Sequence, residues 1–186
     1  MPQADTRVAD EQLMLAYRDG DAEAFAALYA RHKGGLFRFV VRSVKDRATA
    51  EELFQEVWMK LIDARARYLP QAKFSTYLYT IAHNRMIDHW RRQGLATVSL
   101  DEEEACEPAG PVSMQPERRA ESNESAQRLL AGLASLPLLQ REAFLLHEES
   151  GLTVAEIAAA TGTEPDTAKS RLRYAIAKLR EALADE

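Results

Sequence analysis

Residues 73–93, KFSTYLYTIAHNRMIDHWRRQ, set aromatic rings beside cations. Phe74, Tyr77 and Tyr79 gather at the start of the segment. Asn84, Asp88, Arg91 and Arg92 follow at steps of four, three and one, which brings them near one face of a helix. Rings give bases a stacking surface and cations hold a phosphate backbone, so the combination suits a single-stranded nucleic acid. An Asn can also read a base edge. The plain alternative for each ring is core packing, and Tyr77 beside Leu78 fits it well. The plain alternative for Asp88 is an ion pair with Arg91 or Arg92, one turn on.

A second cationic face lies in residues 165–180, PDTAKSRLRYAIAKLR. Ala168, Leu172, Ile176, Leu179 and Leu183 form one apolar stripe. Opposite it stand Asp166, Thr167, Lys169, Ser170, Arg171, Arg173 and Tyr174. The preceding residues read as the first half of a helix-turn-helix. Thr153 and Glu156 make a capping box. Gly162 falls where a tight turn needs a positive φ. Thr163 is expected to cap the second helix, with Pro165 in its first turn, where a missing N–H does no harm. In such a motif the start of the second helix meets base edges in the major groove. Arg can bond guanine bidentately, whereas Lys and Ser more often hold phosphates. An ordinary helical hairpin with a charged face is the alternative, but it needs none of these features together.

Other chemistries find little support. His32, His83, His89 and His147 show no H-E-x-x-H or similar metal spacing. Glu51 with Glu52, and Glu102 through Glu104, are neighbours in sequence rather than facing pairs. The single Cys106 can form neither an internal disulfide nor a Cys-based zinc site, and a reducing compartment is expected. No phosphate-binding glycine loop occurs. No catalytic residue, metal or cofactor is therefore expected. The polar N-terminus reads as neither a signal nor a transit peptide, and no apolar run approaches the ~20 residues that span a bilayer.

The elements that position these faces follow from composition. The chain has 186 residues, 46% hydrophobic and 28% charged, with a formal net charge of −5. Taken whole, that charge points away from DNA. By segment it does not. Residues 1–93 carry 15 basic and 12 acidic side chains, residues 94–124 carry 2 and 8, and residues 125–186 carry 7 and 9. The deficit sits in the middle stretch, whose prolines, glycines and Asp101–Glu104 run read as a linker. On either side the apolar period is helical, with no alternating strand pattern. The expected fold is all-α: one helical domain over 10–93, a flexible acidic linker over 94–124 and a second helical domain over 125–186. Upstream of the helix-turn-helix, Pro137 is expected to divide two supporting helices.

Residues 46–63, DRATAEELFQEVWMKLID, supply one more amphipathic helix. Asp46 or Thr49 can cap it, and Glu51 and Glu52 are expected in its first turn, where the helix dipole favours them. Leu53, Val57 and Leu61 face one way, with Phe54, Trp58 and Ile62 beside them. A face that wide can serve both core and partner, and a Trp at its edge suits an interface anchor. A broad core helix is the alternative.

Together the halves resemble a bacterial RNA polymerase sigma factor of the extracytoplasmic-function group. AEELFQEVWMKL is similar to that family's Ala-Glu-Asp-x-x-Gln-Glu-Val-Phe helix, and FSTYLYTIAHNRMIDHWRR to its Phe-x-x-Trp-Leu-x-x-Ile-Ala-x-Asn-x-x-x-Asp-x-x-Arg pattern. LPLLQREAFLLHEESGLTVAEIA followed by TAKSRL resembles sigma domain 4. The resemblance implies sigma domain 2, a linker and sigma domain 4, without the larger sigma factors' acidic N-terminal region or domain 3. It implies a promoter-specificity subunit, not an enzyme, whose partners are core RNA polymerase and promoter DNA. Glu51, Glu52, Leu53, Gln55, Glu56 and Trp58 would dock on the β′ clamp, and domain 4 on the β flap. Phe74, Tyr77, Asn84, Arg85, Asp88, Arg91 and Arg92 would recognise and melt the minus-ten element. Thr167, Lys169, Ser170, Arg171 and Arg173 would read the minus-thirty-five element as duplex. The linker would thread the polymerase's active-site and RNA-exit path. An anti-sigma factor would cover the polymerase-binding surfaces, and the protein would work in the cytoplasm without membrane insertion. Three positions depart from the family: Glu52 for Asp, Tyr77 for Trp and Ala168 for Val. A free-standing helix-turn-helix regulator would explain residues 153–180 but leave the Phe74–Arg92 segment and the Trp58 helix without a task.

Overall fold

A computed structural model describes residues 8–44, 46–95 and 122–184, without the side chains of 122–125 and 184. Most of the acidic linker and Cys106 lie outside the described residues. Within them the chain is all-α, with no strand. The order is α1 (Asp10–Arg18), α2 (Ala22–Ser43), α3 (Arg47–Ala64), a 3-10 turn (Arg65–Arg67), α4 (Phe74–Arg92), α5 (Ser122–Ser135), α6 (Leu138–Ser150), α7 (Val154–Thr161) and α8 (Pro165–Ala184).

Local chemistry sets the helix ends. The Asp21 carboxylate accepts from the Glu23 and Ala24 N–H groups at 2.9 and 3.3 Å and starts α2. Asp46 does the same for α3, accepting from the Thr49 N–H at 2.8 Å. Because α3 begins at Arg47, Glu51 and Glu52 fall in its second turn rather than its first. Pro137 separates α5 from α6, as its fixed φ and missing N–H require. Gly151, at φ 65°, closes α6 in the left-handed conformation that glycine adopts without strain.

Helices α1–α4 wrap around Leu28, Leu36, Phe39, Val57, Leu61, Leu78 and Met86, all fully buried. Helices α5–α8 pack around Leu145, Leu146, Ile157, Ala168 and Ala175. The sequence suggests two bodies on a tether, but the two units share one continuous buried core. Helix α6 lies against α2, and α7 against α4.

Specific pairs hold this seam. Glu149, whose side chain is only 7% exposed, accepts from Arg38 Nε at 2.6 Å and also from Arg42 Nη1. His83 Nδ1 lies 2.7 Å from Oε1 of Glu142, whose side chain is 2% exposed. Lys73 Nζ sits 2.8 Å from Glu156 Oε1. Buried carboxylates persist only when paired in this way. The backbones also approach closely: a Cβ placed on Gly35 of α2 would come within 2.8 Å of the Glu149 carbonyl oxygen. A glycine inside a helix costs about 1 kcal/mol relative to alanine, and here it makes room for the end of α6.

Candidate nucleic-acid interface

Helix α4 sorts its residues cleanly. Leu78, Ala82, Met86 and Trp90, four apart, are buried. Asn84, Asp88, Arg91 and Arg92 are left exposed. Tyr77 is half-buried and meets Tyr68 edge-on at 5.0 Å. Burial raises the hydroxyls of both tyrosines, that of Tyr68 to about 12, with the charge of Glu11 adding to it. Phe74 departs from its expected role. It is 0% exposed, its ring lies 5.0 Å from that of His32, and its N–H donates to Glu11 Oε1 at 2.6 Å. In this conformation Phe74 anchors the start of α4 and cannot stack on a base. Tyr79 is buried at the seam, where burial and then the Glu149 charge raise its hydroxyl further.

Charges along α4 also differ from expectation. Asp88 pairs with Arg85, Nη2 to Oδ2 at 3.5 Å, rather than with Arg91 or Arg92. Arg92 instead donates from Nε to the Asp88 carbonyl oxygen at 3.3 Å. Arg85 is drawn inward because its Nε also lies 3.3 Å from Glu56 Oε2 on α3. His89 is held below its ordinary value of 6.5 by burial and then by Arg92, against the opposing charges of Glu52 and Glu56. At neutral pH it is therefore mostly uncharged. The cationic character at the end of this face comes from Arg91 and Arg92.

Helix α3 uses more of its apolar width internally than the expected docking role allows. Leu53 and Trp58 are buried. Trp58, 5% exposed, sits among Phe25, Tyr29 and Phe54 with centroids at 5.9, 5.0 and 6.3 Å. It fills the α2–α3 interface and presents no surface to a partner. Glu51, Glu52 and Gln55 are exposed, and Glu51 accepts from Arg47 Nε at 3.0 Å. Glu56 is half-buried against Arg85. Sequence reasoning missed Met59, which is 62% exposed. It follows Gln55 by four and Glu52 by seven, so the three share one face. The available signal was a large apolar side chain lying off the Leu53, Val57, Leu61 stripe.

The helix-turn-helix is built by caps. The Glu156 N–H donates to Thr153 Oγ1 at 3.3 Å, and the Thr153 N–H donates to Glu156 Oε2 at 2.8 Å. Gly162 turns the chain at φ 65°. Thr163 does not hold the capping position: α8 starts at Pro165, which puts Glu164 there, and the Thr163 hydroxyl lies 3.1 Å from that of Thr161. Ala168, Leu172, Ala175 and Leu179 turn inward. Thr167, Lys169 and Arg173 are exposed, while Ser170 and Arg171 are half-buried. The Arg173 guanidinium lies 5.3 Å from the ring of Tyr174, itself 46% exposed.

Two exposed cationic helix faces, one on α4 and one on a capped helix-turn-helix, define a protein built to read nucleic acid. The described residues contain no group of His, Cys, Asp or Glu able to hold a metal ion. Comparison with known proteins gives the lineage. The Sigma-70 region 2 family matches residues 28–95, and the Sigma-70 region 4 family matches residues 126–179. RNA polymerase sigma factor CarQ of Myxococcus xanthus is 35% identical over 173 residues, which is 92% of this chain and 96% of that one. ECF RNA polymerase sigma factor SigK of Mycolicibacterium vanbaalenii is 30% identical over 179 residues, covering 93% and 88%. Among solved structures, CnrH in complex with the cytosolic domain of CnrY aligns with a TM-score of 0.70 at 25% identity, over 96% of this chain and 100% of that one. The sigma factor RpoE in complex with the anti-sigma factor NepR from Bartonella quintana aligns at 0.67 and 25%, over 89% and 100%. The chain belongs to the sigma-70 family, in its extracytoplasmic-function group. It is a promoter-recognition subunit of RNA polymerase and not an enzyme.

Proposed function

We propose that the two exposed faces divide promoter recognition between them. Asn84, Asp88, Arg91 and Arg92, with Tyr77 at the start of the helix, take the minus-ten element as separated strands. Thr167, Lys169 and Arg173, with Ser170 and Arg171 beside them, take the minus-thirty-five element as duplex. Glu51, Glu52, Gln55 and Met59 form the strip that docks on the polymerase clamp. Leu53 and Trp58 hold that strip in place from behind. Domain 2 then spans residues 10–93 and domain 4 residues 125–186. The solved sigma factor RpoE, bound to the anti-sigma factor NepR, supports a partner of that kind for this chain. No described helix is long and apolar enough to cross a membrane, and the reading places the protein in the cytoplasm with its polymerase.

The observation that carries the reading is the sorting of α4: Leu78, Ala82, Met86 and Trp90 go inward, leaving Asn84, Asp88, Arg91 and Arg92 together in solvent. The seam adds a requirement. The positions for which the two elements are named lie about 25 base pairs apart, on the order of 85 Å of B-form DNA at ~3.4 Å per base pair. Helices α4 and α7 touch each other here. Two domains in contact are far closer than that span, and on this reading they part when the promoter is bound. The test is binding of the reconstituted holoenzyme to promoter fragments. Asn84→Ala should weaken capture of an opened minus-ten strand and spare the minus-thirty-five duplex, and Lys169→Ala the reverse. Equal loss on both elements would reject the division.

A further inference from the structure

Glu56 and Arg85 are each expected to serve a different macromolecule, polymerase and DNA, yet in the folded chain they engage each other. Arg85 Nε and Glu56 Oε2 are 3.3 Å apart, and Arg85 Nη2 reaches Asp88 Oδ2 at 3.5 Å. The Arg85 side chain is 17% exposed. Its charge is balanced from two sides, by α3 and by its own helix. The facing atoms, Glu56 Oε2 and Arg85 Nε, are buried and make no hydrogen bond of good geometry, so charge rather than bonding joins them. Only 17% exposed and flanked by two carboxylates, the guanidinium presents little surface and little net charge to a phosphate. What it fixes is the position of α4 on α3 and the direction of the Asp88 carboxylate. Asn84 lies immediately before it on the chain, and Asp88, with Asn84 one turn back, belongs to the exposed promoter face.

We infer that Arg85 is a positioning residue for minus-ten recognition, held between Glu56 and Asp88, and not a contact to the DNA backbone. Glu56 is accordingly the other half of that brace and not a polymerase contact. The inference rests on the assignment of α4 to the minus-ten element. It sets the angle at which the polymerase-docking helix carries the promoter-reading helix, so the two activities share one joint.

The test uses holoenzyme reconstituted with the full chain and a single-stranded minus-ten oligonucleotide, cognate or scrambled, over a range of salt. Losing one phosphate contact on a single strand lowers the slope of log K against log salt by about 0.7. Arg85→Gln is expected to reduce discrimination between the two strands several-fold while leaving that slope unchanged. Glu56→Gln is expected to reproduce the loss with no fall in affinity for core polymerase. The double variant should be no worse than the poorer single one, as for two residues acting as a unit. A mere loss of stability would lower the active fraction and leave discrimination intact, so thermal melting of each variant is followed in parallel. A slope reduced by about one contact in Arg85→Gln overturns the inference. So does Glu56→Gln with discrimination untouched or with core affinity lost. Failure of the wild-type holoenzyme to discriminate at all rejects instead the assignment of α4.

Discussion

Replacing Trp58 by Ala removes a ring packed against Phe25, Tyr29 and Phe54. The expected loss is about 3–5 kcal/mol of stability, the usual range for deleting a buried aromatic, read from urea denaturation. Met59→Ala changes little that is buried, so stability should hold within about 0.5 kcal/mol while affinity for core polymerase falls. The reverse pattern would return Trp58 to the interface. Arg171→Ala should reduce minus-thirty-five discrimination by roughly 1–3 kcal/mol if Arg171 reads a base; a uniform loss across promoters places it on phosphate. At this scale the sequence is least decisive. Phe74 and Trp58 are aromatic residues beside apolar stripes, and the same residue type serves core and interface equally well. Only the packing of α2 and of His32, distant in sequence, decides between them.

Among the elements, the helix-turn-helix rests on its caps. Thr153→Ala should cost about 1 kcal/mol through the lost Glu156 N–H bond, and Gly162→Ala about 1–2 kcal/mol from its left-handed backbone. Both are measurable as a lower midpoint of unfolding. Glu156 also gives this element a pH dependence. Lys73 first, then Thr153, hold its carboxyl below the ordinary 4.5. A lowered folded value stabilises above the unfolded one, and that contribution disappears as pH falls through the folded one. The same contact raises Lys73 above its ordinary 10.5, so its share is present below that pH and lost as pH rises through the folded value. The Lys73–Glu156 link should therefore be intact between about 4.5 and 10.5. Lys73→Ala should flatten the acid side of a stability–pH curve, and an unchanged curve would show that the link carries nothing. Helices α3 and α4, the capping box and the glycine turn are legible in sequence because caps and apolar periods are local signals. The starts of α3 and α8 are not, since several neighbouring residues can cap.

For the molecule as a whole, the seam between the halves leaves little mark on the sequence. It joins residues more than a hundred positions apart, such as Arg38 and Glu149, and no local pattern announces such a pair. The one trace is a Gly34–Gly35 pair inside a helix. Gly35→Ala should push the halves apart, because its Cβ would meet the Glu149 carbonyl at 2.8 Å. Gly34→Ala is the control: its Cβ would meet only the flexible end of Arg38 at 3.4 Å, with the same gain in helix propensity. Small-angle scattering should report a larger radius of gyration for the first variant alone. Equal radii would mean that the seam yields without parting. Parting matters because the proposed division of promoter recognition between the two domains requires it. The central claim is that this chain confers promoter choice on a polymerase that supplies the chemistry. Run-off transcription with purified core polymerase over a library of genomic fragments tests it most directly. The account predicts discrete transcripts from a small set of fragments, present only when the chain is added. No chain-dependent transcript from any fragment would contradict it.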